Sequence, residues 1–444
     1  TPDSKRLIFL SRVGTIQIHA FLKVEEGLKK ETFLGKLLAP TPTKPKKVKM
    51  ESSTNRSEMK QAEGEIIDLG QLMTYLKEVK DGRKKRGLRY RLEIILALFI
   101  LAKLCGEDKI YGIADWVQQQ SGYLIGALGL KYKRLPHHST YRRVLSEEME
   151  GEDFERLMAA YQAQLPRQGQ DVVIAIDGKT VRGTITGADP FGLHLLAAYL
   201  PGEGIVLIQM VVEKDKENEI IVAPKLLECL DLRHKVVIGD AMHTQRQLSI
   251  QIVAAEGDFV WIVKDNQART REAIERLFAP ERPHPGFDCP AMDFRSATTT
   301  EKQAGRIEER TITVSSLLND YLDWPHLGQV FKLERRFTYL SSGVVETEVQ
   351  YGLTSLTAQE ASPKRLLKIV RSEWGIENGL HYRRDVTFHE DQTRMTVKRL
   401  GRVMATINNL VISLINSQRF SNHAHARRVF NACPAKAFAL ISGL

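Results

Sequence analysis

Apolar and polar positions change rhythm twice along the chain. Leu69 to Val79 carries apolar residues at helical spacing, Leu92 to Leu104 is an almost unbroken apolar helix, and Ile110 to Gln120 repeats the helical pattern. Pro136 to Arg143 reads as a helix start, with Ser139 as N-cap and Arg142 and Arg143 projecting from the first turn. At Val172 the helical period gives way to a short run of β-branched and small apolar residues. It reads as a strand buried on both faces that stops on Asp177, with Gly178 opening a turn. Leu193 to Leu200 and Gly204 to Val212 are two further β-rich runs, separated by a Pro201–Gly204 hairpin signal. Glu217 to Leu230 is helical, Lys235 to Gly239 is a strand that stops on Asp240, Thr244 to Glu256 is helical, and Phe259 to Lys264 is a strand.

Three strands led by a hairpin, then helix, strand, helix, strand, predict an α/β core with a mixed sheet of the ribonuclease-H type. A doubly wound nucleotide-binding sheet would need a glycine-rich phosphate loop after a strand, and the sequence has none. Beyond the core, a helix over Thr270–Phe278 and a Pro-rich stretch lead into β-rich pieces at Arg306–Val314, Gln329–Tyr339 and Val344–Leu353, an inserted β subdomain. Helix returns over Pro363–Glu377, with Leu366, Ile369, Val370 and Trp374 as its buried stripe, and again over Val397–Ile415. The expected organisation is an N-terminal extension and flexible linker (1–65), a small helical domain (66–165), a catalytic core in two pieces (166–267 and 356–420), the β insertion (268–355) and a C-terminal tail (421–444).

Composition narrows the partners. Of 444 residues, 64 are Lys or Arg against 54 Asp or Glu, a net charge of +10 that points to a polyanion, most simply double-stranded DNA. Basic residues gather at Arg83, Lys84, Lys85 and Arg86 in a turn, and at Arg142 and Arg143, an arrangement common in helical DNA-binding domains. The four cysteines are widely spaced with no CxxC pair, which suits a reducing compartment and argues against a zinc site. The longest apolar run, Ile94 to Ala102, is too short to span a bilayer. These features predict a cytoplasmic, nucleoid-associated protein with no membrane partner.

The chemistry starts from two strands that each deliver an aspartate, Asp177 and Asp240, to one edge of a sheet, where they can hold a hard divalent cation between them. A third carboxylate is expected from the stretch Arg371 to Asp385. Spacing alone leaves Glu373, Glu377 and Asp385 open. His243 reads as a surface histidine, with a ligand or base as the alternative, and Trp261 and Trp374 read as core.

Several motifs together carry a resemblance. They are Val173–Gly183, Gly239–Gln245, Val263–Gln267, Gly305–Arg310, Trp374–His381 with Asp385–Phe388, and, upstream, Asp81–Gly87 and His138–Tyr141. Residues 66–420 resemble the ISAs-one family, the H-repeat-associated insertion-sequence transposases of the IS-four-like DDE class. The resemblance implies a DDE triad on Asp177, Asp240 and Glu377, Mg²⁺ as cofactor with Mn²⁺ able to replace it, and cleavage and transfer of DNA strands at terminal inverted repeats by an active homodimer. The wider class carries Tyr, Arg and Lys around its glutamate; here Val370, Glu373 and Arg384 stand at those positions. Lys179, Arg182, Lys264, Arg371, Arg383 and Arg384 are then the expected phosphate contacts. The alternative reading is a non-catalytic DNA-binding relic or repressor derived from such an enzyme.

Overall fold

The computed structural model describes residues 71–86, 88–164, 172–213, 218–279, 293–303 and 305–442. Every described residue belongs to one unit, Glu65–Leu444. The expected extension and linker over 1–65 lie outside the described residues.

The apolar stretch Leu92–Leu104 forms a helix in which all thirteen residues are buried. A helix apolar on every side needs neighbours on every side. The helices Gln71–Glu78, Ile110–Gln119, Lys398–Ser417 and Pro434–Ser442 supply them. Its lysine, Lys103, lies 3.6 Å from Asp108, and burial brings its ammonium down to about 8. Arg427 pairs with the same aspartate through two nitrogens, at 2.7 and 3.3 Å. Within the stretch 421–444, expected as a tail, the described residues form two packed helices, His423–Ala432 and Pro434–Ser442. The short helix His138–Arg143 starts two residues earlier than predicted. Its N-cap is His137, whose ring accepts from the Ser139 amide, so Ser139 sits inside the helix.

Nine strands make one continuous sheet: β1 (Val173–Val181), β2 (Leu193–Leu200), β3 (Ile205–Val212), β4 (Val236–Gly239), β5 (Asp258–Val263), β6 (Arg295–Gln303), β7 (Arg306–Ser315), β8 (Gln329–Tyr339) and β9 (Val345–Thr354). Their order is β3-β2-β1-β4-β5-β9-β8-β7-β6. The first five strands, with an antiparallel β3-β2-β1 and a parallel β1-β4-β5, are the ribonuclease-H-like arrangement expected from the sequence. The insertion does not stand apart as a separate layer. β9 pairs antiparallel with β5 and carries the sheet outward through β8, β7 and β6. β6, rich in Thr and charge, has no apolar alternation, and the sequence reading passes over it.

A buried polar network joins the helical lead to the core. Glu155, on the Gly151–Gln162 helix, accepts from Gln209 of β3 at 2.8 Å and from Arg402 of the Lys398–Ser417 helix at 2.7 Å. Asn409 of the same long helix donates to Gln209 at 2.6 Å. Breaking one partner would leave a buried charge uncompensated, so the network fixes how these elements meet. No helix of the described residues is long and apolar enough to cross a membrane.

Candidate carboxylate centre

The ladders of the sheet place the first two acids. Parallel pairing of β1 with β4 ends at Ile176 opposite Gly239, so Asp177 and Asp240 are the next residue on each strand. The sequence reading ends the first strand at Asp177, yet β1 continues to Val181. Its other edge stays paired with β2, Asp177 opposite Ala197 and Val181 opposite Leu193. Gly178 is therefore a strand residue, not a turn. A Cβ there would lie closer than 3.0 Å to the carboxylate of Glu219, which packs against its backbone.

Glu219 is the acid that sequence reasoning missed. It opens the helix Glu219–Glu228, behind an Asn218 N-cap. Two imidazoles hold it: His194 Nε2 at 2.8 Å from Oε1 and His243 Nε2 at 3.3 Å from Oε2. Burial opposes its charge, but the two histidines outweigh burial and bring its carboxyl down to about 2. His243, expected at the surface, is completely buried because Glu219 and the β4 backbone enclose it. Its Nε2 is also 3.9 Å from Asp240 Oδ1. The sequence reading runs this helix from Glu217 to Leu230, and nothing in it pointed to the contact of Glu219 with Gly178.

The charges around Asp177 and Asp240 are unbalanced. Burial pushes the Asp177 carboxyl up to about 7, and the negative charges of Glu219 and Asp240 add to this. His381 stands 3.4 Å away through Nδ1. Burial, with Arg384 and Lys179 nearby, lowers its ring to about 3, so it meets Asp177 as a neutral group. Asp240 is half exposed and accepts from the Met242 amide at 3.0 Å, capping the short turn Ala241–His243.

Of the three acids left open on the third element, Asp385 is taken up by Lys179, 2.7 Å away. Glu373, at the C-terminal end of the helix Pro363–Ser372, lies in the field of both aspartates. Burial, then Asp240, Asp177 and Glu377, push its carboxyl up to about 7 against the opposing charge of Lys264. Glu377 begins a wider helical turn four residues on, with an exposed side chain whose charge reaches Glu373. Trp374 departs from the expected buried stripe. It is 50 % exposed, with the Arg335 guanidinium 4.8 Å from its ring centroid. Trp261 is core, as expected.

Among the described residues, no three His, Cys, Asp or Glu side chains are gathered closely enough to hold a metal ion. The donor chemistry nonetheless suits a hard cation. Asp177 and Glu373 are desolvated carboxyls, Asp177 raised further by Glu219 and Asp240 and Glu373 by Asp240 and Asp177, and added positive charge would relieve both.

Exposure divides the basic residues expected to face DNA. Arg182, Lys264, Arg142, Arg143, Lys84, Lys85 and Arg86 are exposed. Three others are structural. Lys179 is buried on Asp385, Arg384 is fully buried against Glu390 at 2.7 Å, and Arg83 pairs with Asp81 and with the Tyr90 carbonyl. Arg383 is partly buried and donates to Asn416 at 2.9 Å, and Arg371 reaches across to Glu301 of β6.

A strand-edge aspartate pair on this mixed sheet, with an acid-bearing helix beside it, sits on a ribonuclease-H-like core. The chain belongs to the transposase DDE domain family, whose model matches residues 168–414, and residues 73–162 match the DDE transposase-associated domain. Its homologues place it among the H-repeat transposases of insertion sequences. It is 27% identical over 355 residues to YncI of Escherichia coli O157:H7, a candidate transposase, covering 79% of this chain and 88% of that one. It is 25% identical over 357 residues to the H repeat-associated candidate transposase YhhI of Escherichia coli strain K12, covering 80% and 92%. Among solved structures, a cryo-EM piggyBac transposase synaptic complex with hairpin DNA aligns with 84% of this chain and 76% of its own, at 10% identity and a TM-score of 0.40.

Proposed function

We propose that the protein cuts and joins DNA strands at the terminal inverted repeats of an insertion sequence, as a homodimer in the cytoplasm, with Asp177, Asp240 and Glu377 as its acid triad. The observation that carries this reading is the placement of Asp177 and Asp240 side by side, one residue beyond their shared parallel ladder, in an under-compensated negative field. Those two carboxylates and Glu377 would hold Mg²⁺, or Mn²⁺ in its place, which when bound activates the attacking oxygen and stabilises the leaving one.

The chain's own residues do the rest. The β1–β2 ladder fixes the Asp177 backbone, and Glu219, held by His194 and His243, backs Gly178 beside it. His381, neutral at physiological pH, contacts Asp177 without neutralising it. Glu373 lines the centre from the third element. Lys264, exposed and close enough to act on Glu373, and the exposed Arg182 would meet phosphate oxygens and position DNA without reading its sequence.

The test uses end-labelled DNA carrying the element's inverted repeats, incubated with Mg²⁺ and resolved on gels. Wild-type protein should cut and join strands. Asp240→Asn, which keeps an acceptor for the Met242 amide, should bind DNA and leave it uncut. Cutting by the Asn variant at the wild-type rate would remove Asp240 from the chemistry. A shift without cutting by the wild type would make the protein a DNA-binding repressor instead.

A further inference from the structure

A cavity of about 530 Å³ opens between the helical lead and the segment that follows Asp385. Its floor is apolar, formed by Met395, Val397, Leu400 and Met404. One wall presents Tyr111, which is 62 % exposed, its ring centroid 4.0 Å from that of His138 with the rings tilted by 34°, and His138 is itself 3.9 Å from His137. Lys109, Arg142 and Arg394 also line it, and among the described residues none of the three has an ion-pair partner. Elsewhere cations of this chain are widely paired, as Arg83, Arg384, Arg402 and Arg427 are. An apolar floor, an exposed aromatic face and three unpaired cations together suit a ligand with a flat π-face and an attached anion. A nucleotide has both.

A base inside a duplex cannot use such a pocket, because its faces are covered by its neighbours. We infer that this cavity receives a single unpaired nucleotide of the DNA substrate, its base stacked beside Tyr111 over the apolar floor and its phosphate on Arg142, Lys109 and Arg394. This inference rests on the DNA-acting reading above. The pocket is also tied to the carboxylate centre. Met395 donates its amide to Gly183 at 2.8 Å, and Arg182 donates its own to Asp391 at 3.0 Å, so the wall is fastened to the two residues that follow β1. A Cβ on Gly183 would run into the Thr393 carbonyl, which shows how closely the two segments meet. A nucleotide held here would register the strand relative to Asp177.

The test measures binding of the full chain, in chelator so that nothing is cut, to two labelled duplexes. One is fully paired, and the other carries a single bulged 2-aminopurine. The bulged duplex should bind on the order of tenfold more tightly, with its 2-aminopurine fluorescence quenched by stacking. Tyr111→Ala should lose the preference and the quenching while still binding paired DNA, and Tyr111→Phe should keep both. Tyr111 is largely exposed, so neither substitution threatens the fold. Equal affinity of the wild type for both duplexes, or a preference that survives Tyr111→Ala, overturns the pocket alone. Failure to bind either duplex overturns it together with the DNA-acting reading.

Discussion

Replacing Asp177 with Asn should stabilise the metal-free protein at neutral and alkaline pH while ending its strand-cutting activity. The folded carboxyl is pushed up to about 7 by burial and by Glu219 and Asp240, against 3.8 for the ordinary group. Between those values the folded protein holds a proton that the unfolded chain has released. The contribution of Asp177 to stability therefore falls as pH rises from about 4 to about 7 and stays low above that. At 1.36 kcal/mol per pKa unit the gap corresponds to about 4 kcal/mol. A third of the side chain still meets solvent, and discounting for that screening leaves on the order of 2 kcal/mol. Asn keeps an acceptor for the Gly178 amide, which Asp177 binds at 2.8 Å. The assay is thermal unfolding of both proteins in chelator across pH 4 to 8. Their difference isolates Asp177 from the opposing contribution of His381. It should be near zero at pH 4 and grow to a few degrees in favour of Asn by pH 8. Saturating Mg²⁺ should shrink it by stabilising the wild type. A variant that melts below the wild type at pH 8, or a difference that does not change with pH, would refute the electrostatic reasoning.

Three other outcomes are expected. Glu377→Gln should abolish strand cutting, whereas Glu373→Gln should leave measurable cutting and raise metal-free stability; the reverse pattern in the gel assay would transfer the third role to Glu373. Gly178→Ala should cost about 1–3 kcal/mol in denaturant unfolding, because its Cβ would displace a Glu219 carboxylate pinned by two histidines; an unchanged midpoint would mean that Glu219 is free to move. Affinity for non-specific duplex should drop steeply between low and physiological salt through counterion release, and a flat titration would contradict it.

The five core strands were legible because their apolar runs are short, β-rich and bounded by turn signals. Where β1 ends was not. The run stops being apolar at Asp177, yet the backbone keeps pairing with β2 as far as Val181, and only the partner strand decides that. β6 escaped notice because an outer strand of Thr and charged residues needs no apolar rhythm. Trp374 was placed inside by helical spacing, but Arg335 arrives from β8 and lets its ring stay half exposed. The aspartate pair could be read from two similar strand endings. Glu219 and His243 could not, because their roles arise from a contact across Gly178 that no local spacing records. Lys179 and Arg384 illustrate the same limit: sequence shows a cation beside the motif, and only packing shows that each already has its carboxylate.

The helix Pro434–Ser442 lies against both Leu92–Leu104 and Gln71–Glu78, so residues from the two ends of the described chain close one apolar core. A reading-frame lesion late in such a gene would therefore spare every acid of the centre and still uncover a helix that is apolar on all sides. That product would be prone to aggregate and to be degraded before it could occupy DNA. Late truncations should thus silence the protein outright instead of converting it into a competitor of intact copies.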